Sequence, residues 1–188
     1  MYAVVIFHDN LCLAFSVVSK ILLNARYINV HNAIGNNSVQ KINPANVLSE
    51  YPRPQLVREN WRCLNGYWDY AITKTAEEPE RYDGKILVPF SPEAPLSGVM
   101  RSLLPGEYLH YRLCFDYRGS SPHAILHFGA VDERCEVFLN GEKIGEHRGG
   151  YLPFSFDIAS VLKQGENVLT LSVRDDSDGS YHANGKQT

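Results

Sequence analysis

Residues 107–117 read Glu107-Tyr108-Leu109-His110-Tyr111-Arg112-Leu113-Cys114-Phe115-Asp116-Tyr117. From Leu109 every second residue (Leu109, Tyr111, Leu113, Phe115, Tyr117) is apolar, and His110, Arg112, Cys114 and Asp116 fill most of the alternate positions. Successive side chains of a strand point to opposite faces, so this pattern predicts a half-buried strand with one face on a core. The same period of two recurs in Ala124, Leu126 and Phe128 against His123 and His127, and in Cys135, Val137 and Leu139 against Arg134 and Glu136. It returns in Leu169, Leu171 and Val173 against Thr170, Ser172 and Arg174. Alternation with one apolar face repeated in this way predicts an all-β fold, an antiparallel two-sheet sandwich, and leaves jelly-roll and immunoglobulin-type strand orders both open.

Working outward, Asn140-Gly141 separates the run ending at Leu139 from Lys143 and Ile144. Both residues tolerate the positive φ that a type I′ turn demands, so a hairpin is expected there. Asp157 to Gly165 reads as one short helix or turn, with Asp157 or Ser160 able to cap its start and Gly165 able to end it. Trp61, Trp68 and Tyr70 lie in a strand-like segment and are expected to bury against the sandwich, whereas Tyr151 and Tyr181, flanked by glycines, are the aromatics placed for exposed contacts.

The chain has 188 residues, 44% hydrophobic and 21% charged, enough for one domain with a sizeable core and too short for a complete (β/α)₈ barrel of roughly 200–250 residues. Its net charge of -3 lacks the basic balance that gathers nucleic-acid phosphates, so no nucleic-acid partner is expected. Charge is unevenly spread: residues 1–50 carry only Asp9, Lys20, Arg26, Lys41 and Glu50. This shift sets a boundary near Tyr51, with 1–50 expected to be a weakly structured extension or an apolar segment and 51–188 the folded domain. The apolar run Leu11 to Leu23 has no preceding Lys or Arg and no A-x-A-like site after it, so it does not match a secretory signal. Lys20 interrupts it and Asp9 bounds it, which leaves it short of the roughly 20 apolar residues of a membrane span.

Most catalytic and binding signatures are missing. The sequence has no G-x-S-x-G, H-E-x-x-H, G-x-x-x-x-G-K-[ST] or G-x-G-x-x-G. The four cysteines, Cys12, Cys63, Cys114 and Cys135, form no C-x-x-C pair, and Cys114 and Cys135 lie in strand alternations where reduced, buried thiols are common. In the acidic run Asp175-Asp176-Ser177-Asp178-Gly179, alignment on Gly179 puts Arg174 at the first calcium-ligand position and Gly185 where the bidentate Glu belongs, so it reads as a solvated loop rather than an EF-hand. His123, His127 and His147 could converge, but no carboxylate is paired with them by sequence and they read as surface histidines. No metal or cofactor is expected.

Several segments, in order, carry a resemblance. They are Tyr51-Pro52-Arg53-Pro54-Gln55, Leu64-Asn65-Gly66-Tyr67-Trp68-Asp69-Tyr70 and Tyr82-Asp83-Gly84-Lys85-Ile86-Leu87-Val88-Pro89-Phe90. They continue with Leu126-His127-Phe128-Gly129-Ala130-Val131-Asp132, Phe138-Leu139-Asn140-Gly141, His147-Arg148-Gly149-Gly150-Tyr151 and Phe154-Ser155-Phe156-Asp157-Ile158. Over residues 51–188 this combination resembles the N-terminal sugar-binding domain of glycoside hydrolase family 2, which includes β-galactosidases, β-glucuronidases and β-mannosidases.

The resemblance implies a galactose-binding-like jelly roll, a carbohydrate ligand, and a parent enzyme that adds an immunoglobulin-like domain and a (β/α)₈ barrel. In the family the barrel carries both catalytic glutamates, one of them directly after an asparagine. No Asn-Glu dipeptide occurs here, and the sequence stops before the family's closing strand, so no catalytic residue is assigned and the chain alone is expected to be inactive. The resemblance also points to a loop that reaches toward the sugar, with Asp178, Tyr181, Asn184, Lys186 and Gln187 as substrate-binding candidates. Relatives usually have Arg where Asn184 stands and Trp where Glu133 stands. The alternative is an autonomous carbohydrate-binding or interaction module with no associated catalysis.

Overall fold

The structure, a computed structural model, describes residues 3–7, 43–49 and 60–176. Ten strands are found there: β1 (Ala3–Phe7), β2 (Trp61–Cys63), β3 (Gly66–Thr73), β4 (Gly84–Val88), β5 (Tyr108–Tyr117), β6 (Ala124–Phe128), β7 (Arg134–Leu139), β8 (Glu142–Arg148), β9 (Phe154–Asp157) and β10 (Gly165–Arg174). They form a four-stranded sheet of order β2-β1-β6-β9 and a six-stranded sheet of order β4-β3-β5-β10-β7-β8, and each pairing is antiparallel. The helical structure among the described residues is limited to short 3₁₀ turns at Pro44–Asn46 and Pro95–Ser97.

The alternations map onto the two faces as expected. Leu109, Tyr111 and Phe115 of β5 are buried in one core with Leu126 and Phe128 of β6, Val137 and Leu139 of β7, and Leu169, Leu171 and Val173 of β10. Because β6 belongs to the small sheet and the others to the large one, this core is the filling of a sandwich. Trp68 is fully buried in it, its Nε1–H donates to the Leu64 carbonyl at 2.8 Å, and its ring meets Tyr111 edge-on at 6.3 Å.

The hairpin falls where the turn chemistry places it. Asn140 and Gly141 have φ of 55° and 85°, and β8 follows at Glu142. The Asn140 side chain ties this turn to a second one: its Nδ2 donates to Val161 O at 2.8 Å and to Asn167 Oδ1 at 2.9 Å, and its Oδ1 accepts from Val168 N at 3.0 Å. Asp157 to Gly165 is a turn, not a helix: Asp157 Oδ1 accepts from Ala159 N at 2.9 Å, and Leu162 N donates to Ile158 O. One open side of the sandwich is closed by aromatics on β9. Phe154 stacks on His147 at 4.0 Å and on Phe128 at 4.9 Å, and the Phe156 ring sits where a Cβ on Gly145 would be.

The first fifty residues hold a feature the sequence reading does not anticipate. Ala3–Phe7, placed there within a weakly structured extension, forms β1, a strand inside the four-stranded sheet with β2 on one side and β6 on the other. The rest of residues 1–42 lies outside the described residues. The thiol expectations divide: Cys135 is buried, and burial pushes its pKa up to about 12, whereas Cys114 points outward and is exposed. None of Cys63, Cys114 and Cys135 is in a disulfide.

His110 occupies the outward face of β5 yet is 2% exposed. Its Nε2 lies 2.9 Å from Thr73 Oγ1 and 3.1 Å from the Thr75 carbonyl, which can only accept, so the ring proton sits on Nε2. Burial, offset in part by that carbonyl and by Glu78, holds the imidazole pKa below its ordinary 6.5. The unfolded chain therefore takes up this proton at higher pH than the folded one. The contribution to stability is complete above about 6.5 and is lost as the pH falls below it. In paired urea titrations from about pH 7 to about pH 5.5, the wild type loses more unfolding free energy than His110→Gln does; parallel losses would contradict this account.

Candidate functional site

The end of the large sheet where β10 stops is the root of the loop singled out in the sequence. Antiparallel pairing brings four segments to it: Arg174 of β10 stands opposite Arg134 of β7, Arg134 opposite Arg148 of β8, and Val173 opposite Leu109 at the start of β5. Directly opposed residues share a face, so three arginines occupy successive positions across three strands. Opposed like charges are unfavourable unless anions sit among them.

Those anions come from the adjoining loops. Arg174 Nε is 2.5 Å from Asp176 Oδ2, and Arg134 Nε is 3.2 Å from Glu133 Oε1. The Glu133 residue is 7% exposed, so a carboxylate is held at this end, and the arginine ladder gives its charge a counterpart. Arg174 also donates through Nη1 to Tyr108 Oη at 3.2 Å and lies over the Tyr108 ring at 5.6 Å. Hydrogen bonds to Tyr108 and Asp176 raise the pKa of a guanidinium that is already fully protonated, so Arg174 is a fixed cation here.

Asp176, the last described residue, has a second tie, accepting from Gly106 N at 3.2 Å. The acidic run read as solvated is thus pinned at this point, and Asp176 joins the strand end to the segment 101–107. That segment is itself fastened by Glu107, which is 4% exposed. The Glu107 carboxylate accepts from Leu104 N at 3.1 Å and from Arg101 Nη2 at 2.8 Å and lies 3.2 Å from Lys74 Nζ. The backbone donor first, then the two cations, hold its pKa below the ordinary carboxylate value.

The remaining wall comes from the β6–β7 and β8–β9 connections. Gly149, at φ 117°, donates its N–H to the Glu133 carbonyl at 2.6 Å. A Cβ on Gly150 would overlap the Asp132 carboxylate, so glycine lets this backbone lie against Asp132. Beyond it Tyr151 and Leu152 are 49% and 69% exposed, which matches the expectation for Tyr151.

Asp178, Tyr181, Asn184, Lys186 and Gln187 all lie outside the described residues. The structure describes this platform at the sheet end as far as Asp176, whose side chain is held by Arg174 and by Gly106 N, a role that sequence reasoning did not assign to them. The three histidines are not gathered: His123 is exposed, His127 lies on β6 opposite Ser155, and His147 stacks on Phe154, its Nε2 3.1 Å from Gly149 O. Among the described residues no group of three or more His, Cys, Asp or Glu is arranged to hold a metal ion, and no helix is long and apolar enough to cross a membrane.

The same β5-to-β10 unit and the segment that follows it match a known family. Residues 110–187 fit the sequence profile described as "Glycosyl hydrolases family 2, sugar binding domain". That match covers residues 110–187 and is to the family 2 sugar-binding domain. The chain is similar to a β-galactosidase of Thermoanaerobacter pseudethanolicus, 39% identical over 66 residues that cover 34% of this chain and 9% of that protein. It is also similar to a β-galactosidase of Bacteroides ovatus, 33% identical over 124 residues that cover 64% of this chain and 13% of that protein. Among solved structures, the Lactobacillus rhamnosus β-glucuronidase aligns with a TM-score of 0.50 and 27% identity, over 60% of this chain and 20% of that one. The chain thus spans only about a tenth of the length of these curated relatives.

Proposed function

We propose that residues 51–188 act as a non-catalytic sugar-binding module of a family 2 glycoside hydrolase, whose complete form hydrolyses O-glycosyl bonds of terminal β-linked sugars. The observation that carries this reading is the family match, which runs from His110 through β10 and on into the 177–187 segment. The names of relatives, β-galactosidase and β-glucuronidase, support that substrate class.

The chemistry of the platform supports binding over catalysis. A retaining glycosidase needs two carboxyl groups roughly 5–5.5 Å apart, one free to attack and one free to shuttle a proton. At this end Glu133, Asp176 and Glu107 are each engaged in an ion pair with an arginine. Donors on the loop suit a sugar better: Lys186, Gln187 and Asn184 can hydrogen-bond hydroxyls, Asp178 can accept from them, and Tyr181 can offer a flat face. The immunoglobulin-like and barrel domains of the parent enzyme are the partners this module would serve.

Calorimetric titration of the chain with galactose, glucuronate and mannose tests the reading. Saturable heat with one of them is expected, and Lys186→Ala and Asn184→Ala are each expected to weaken it at least about fivefold, the loss of a hydrogen bond of about 1 kcal/mol. Affinity unchanged in both variants would remove the loop from the binding site.

A further inference from the structure

Strand β1 is the unusual element of the small sheet. It pairs with β2 through Val4 opposite Cys63, Val5 opposite Arg62 and Ile6 opposite Trp61, and with β6 from Ala3 opposite Phe128 to Phe7 opposite Ala124. Its main chain is therefore bonded along both edges. Among the described residues β2 has β1 as its one neighbour in the sheet order, so without β1 the three residues of β2 lose that pairing and β6 keeps β9. The strand that holds this position comes from far away in sequence, since its partners begin at Trp61 and Ala124.

We infer that the space between β2 and β6 is a strand-acceptor site for an extended apolar segment running antiparallel to both, which the chain's own Ala3–Phe7 fills and which a second copy of that segment can enter from outside. Three features carry the inference. An interior position leaves two rows of backbone N–H and C=O groups bare when vacated, and such rows template the pairing of an added strand. The sequence Ala3-Val4-Val5-Ile6-Phe7 has no polar side chain and three β-branched residues, which suits a strand with neighbours on both edges. More than fifty residues separate the segment from β2, so no short turn fixes it in place and the same segment supplied in trans can compete for the position. The inference stands on sheet order alone and is independent of the sugar reading.

The register gives the test. In the full chain, Val4→Cys places a thiol opposite Cys63, within the Cα spacing a disulfide spans, and mild oxidation is expected to give a monomer with positions 4 and 63 linked, identified by peptide mapping. Val5→Cys, opposite Arg62 and on the other face, is expected to give at least tenfold less of a bond to Cys63. Next, a peptide of residues 1–9 with the Val4→Cys change is titrated into wild-type chain up to millimolar concentration. A saturable adduct on Cys63 is expected, reduced at least tenfold when the peptide also carries Val5→Pro, which removes a ladder donor. Equal linking from positions 4 and 5, no adduct at any peptide concentration, or an adduct indifferent to the proline would each overturn the inference.

Discussion

Replacing Trp68 with alanine is expected to lower the unfolding free energy by about 3–5 kcal/mol, the range for removing a large aromatic from a packed core. Trp68 is 0% exposed and sits on β3, which joins β4 to the rest of the large sheet. The change removes the ring from against Tyr111 and leaves the Leu64 carbonyl without the indole N–H that it accepts. Domains of this kind have a total stability of roughly 5–15 kcal/mol, so much of it goes in one substitution. Urea unfolding followed by far-UV circular dichroism measures it, and a loss below about 1 kcal/mol would mean that the two sheets do not pack through this ring.

The second large effect is polar. Asn167 is fully buried and makes four hydrogen bonds: Oδ1 accepts from Asn140 Nδ2 and Lys163 N, each at 2.9 Å, and Nδ2 donates to Lys163 O at 2.7 Å and Gly165 O at 3.0 Å. One amide thus closes the turn that leads into β10 and grips the Asn140 turn between β7 and β8. Asn167→Leu keeps the volume and removes the partners, leaving the Lys163 N–H and one Asn140 donor unmatched. At roughly 1–3 kcal/mol for each orphaned group, the expected loss is about 2–5 kcal/mol. Asn140→Ala shares these bonds, so the double variant is expected to lose less than the sum of the two single losses. Full additivity in urea unfolding would show that the two turns are energetically separate.

The large sheet was legible because its strands alternate. In β5 the residues expected inside, Leu109 through Tyr117, are the ones that face the core, and the reading fails only where the outer face is itself covered, as at His110. Asn140-Gly141 was legible because positive φ restricts the choice of residue so strongly. β1 was not: five consecutive apolar residues carry no period, and their partners lie more than fifty residues away. Strand β9 was equally hidden, since Phe154-Ser155-Phe156-Asp157 is too short for its alternation to stand out.

The site divides along the same line. The loop was named through family resemblance, yet the groups that hold Asp176 and Arg174 just before it come from separate elements. Gly106 is 70 residues from Asp176, and Tyr108 is 66 residues from Arg174. No local pattern links such pairs. Only the antiparallel register of β5 with β10 brings them to one end. Glu133 shows the same dependence, because a buried carboxylate makes sense only once Arg134 is seen between Arg148 and Arg174.

The central claim, that this chain binds sugar without cleaving it, is tested most directly by incubating the purified chain with aryl β-galactoside, β-glucuronide, β-mannoside and β-glucoside and measuring aglycone release. The account predicts no release above a protein-free blank for any of the four. Release that scales with protein concentration and survives repurification would contradict it, because it would require a catalytic carboxylate pair that the ion-paired acids of this platform do not supply.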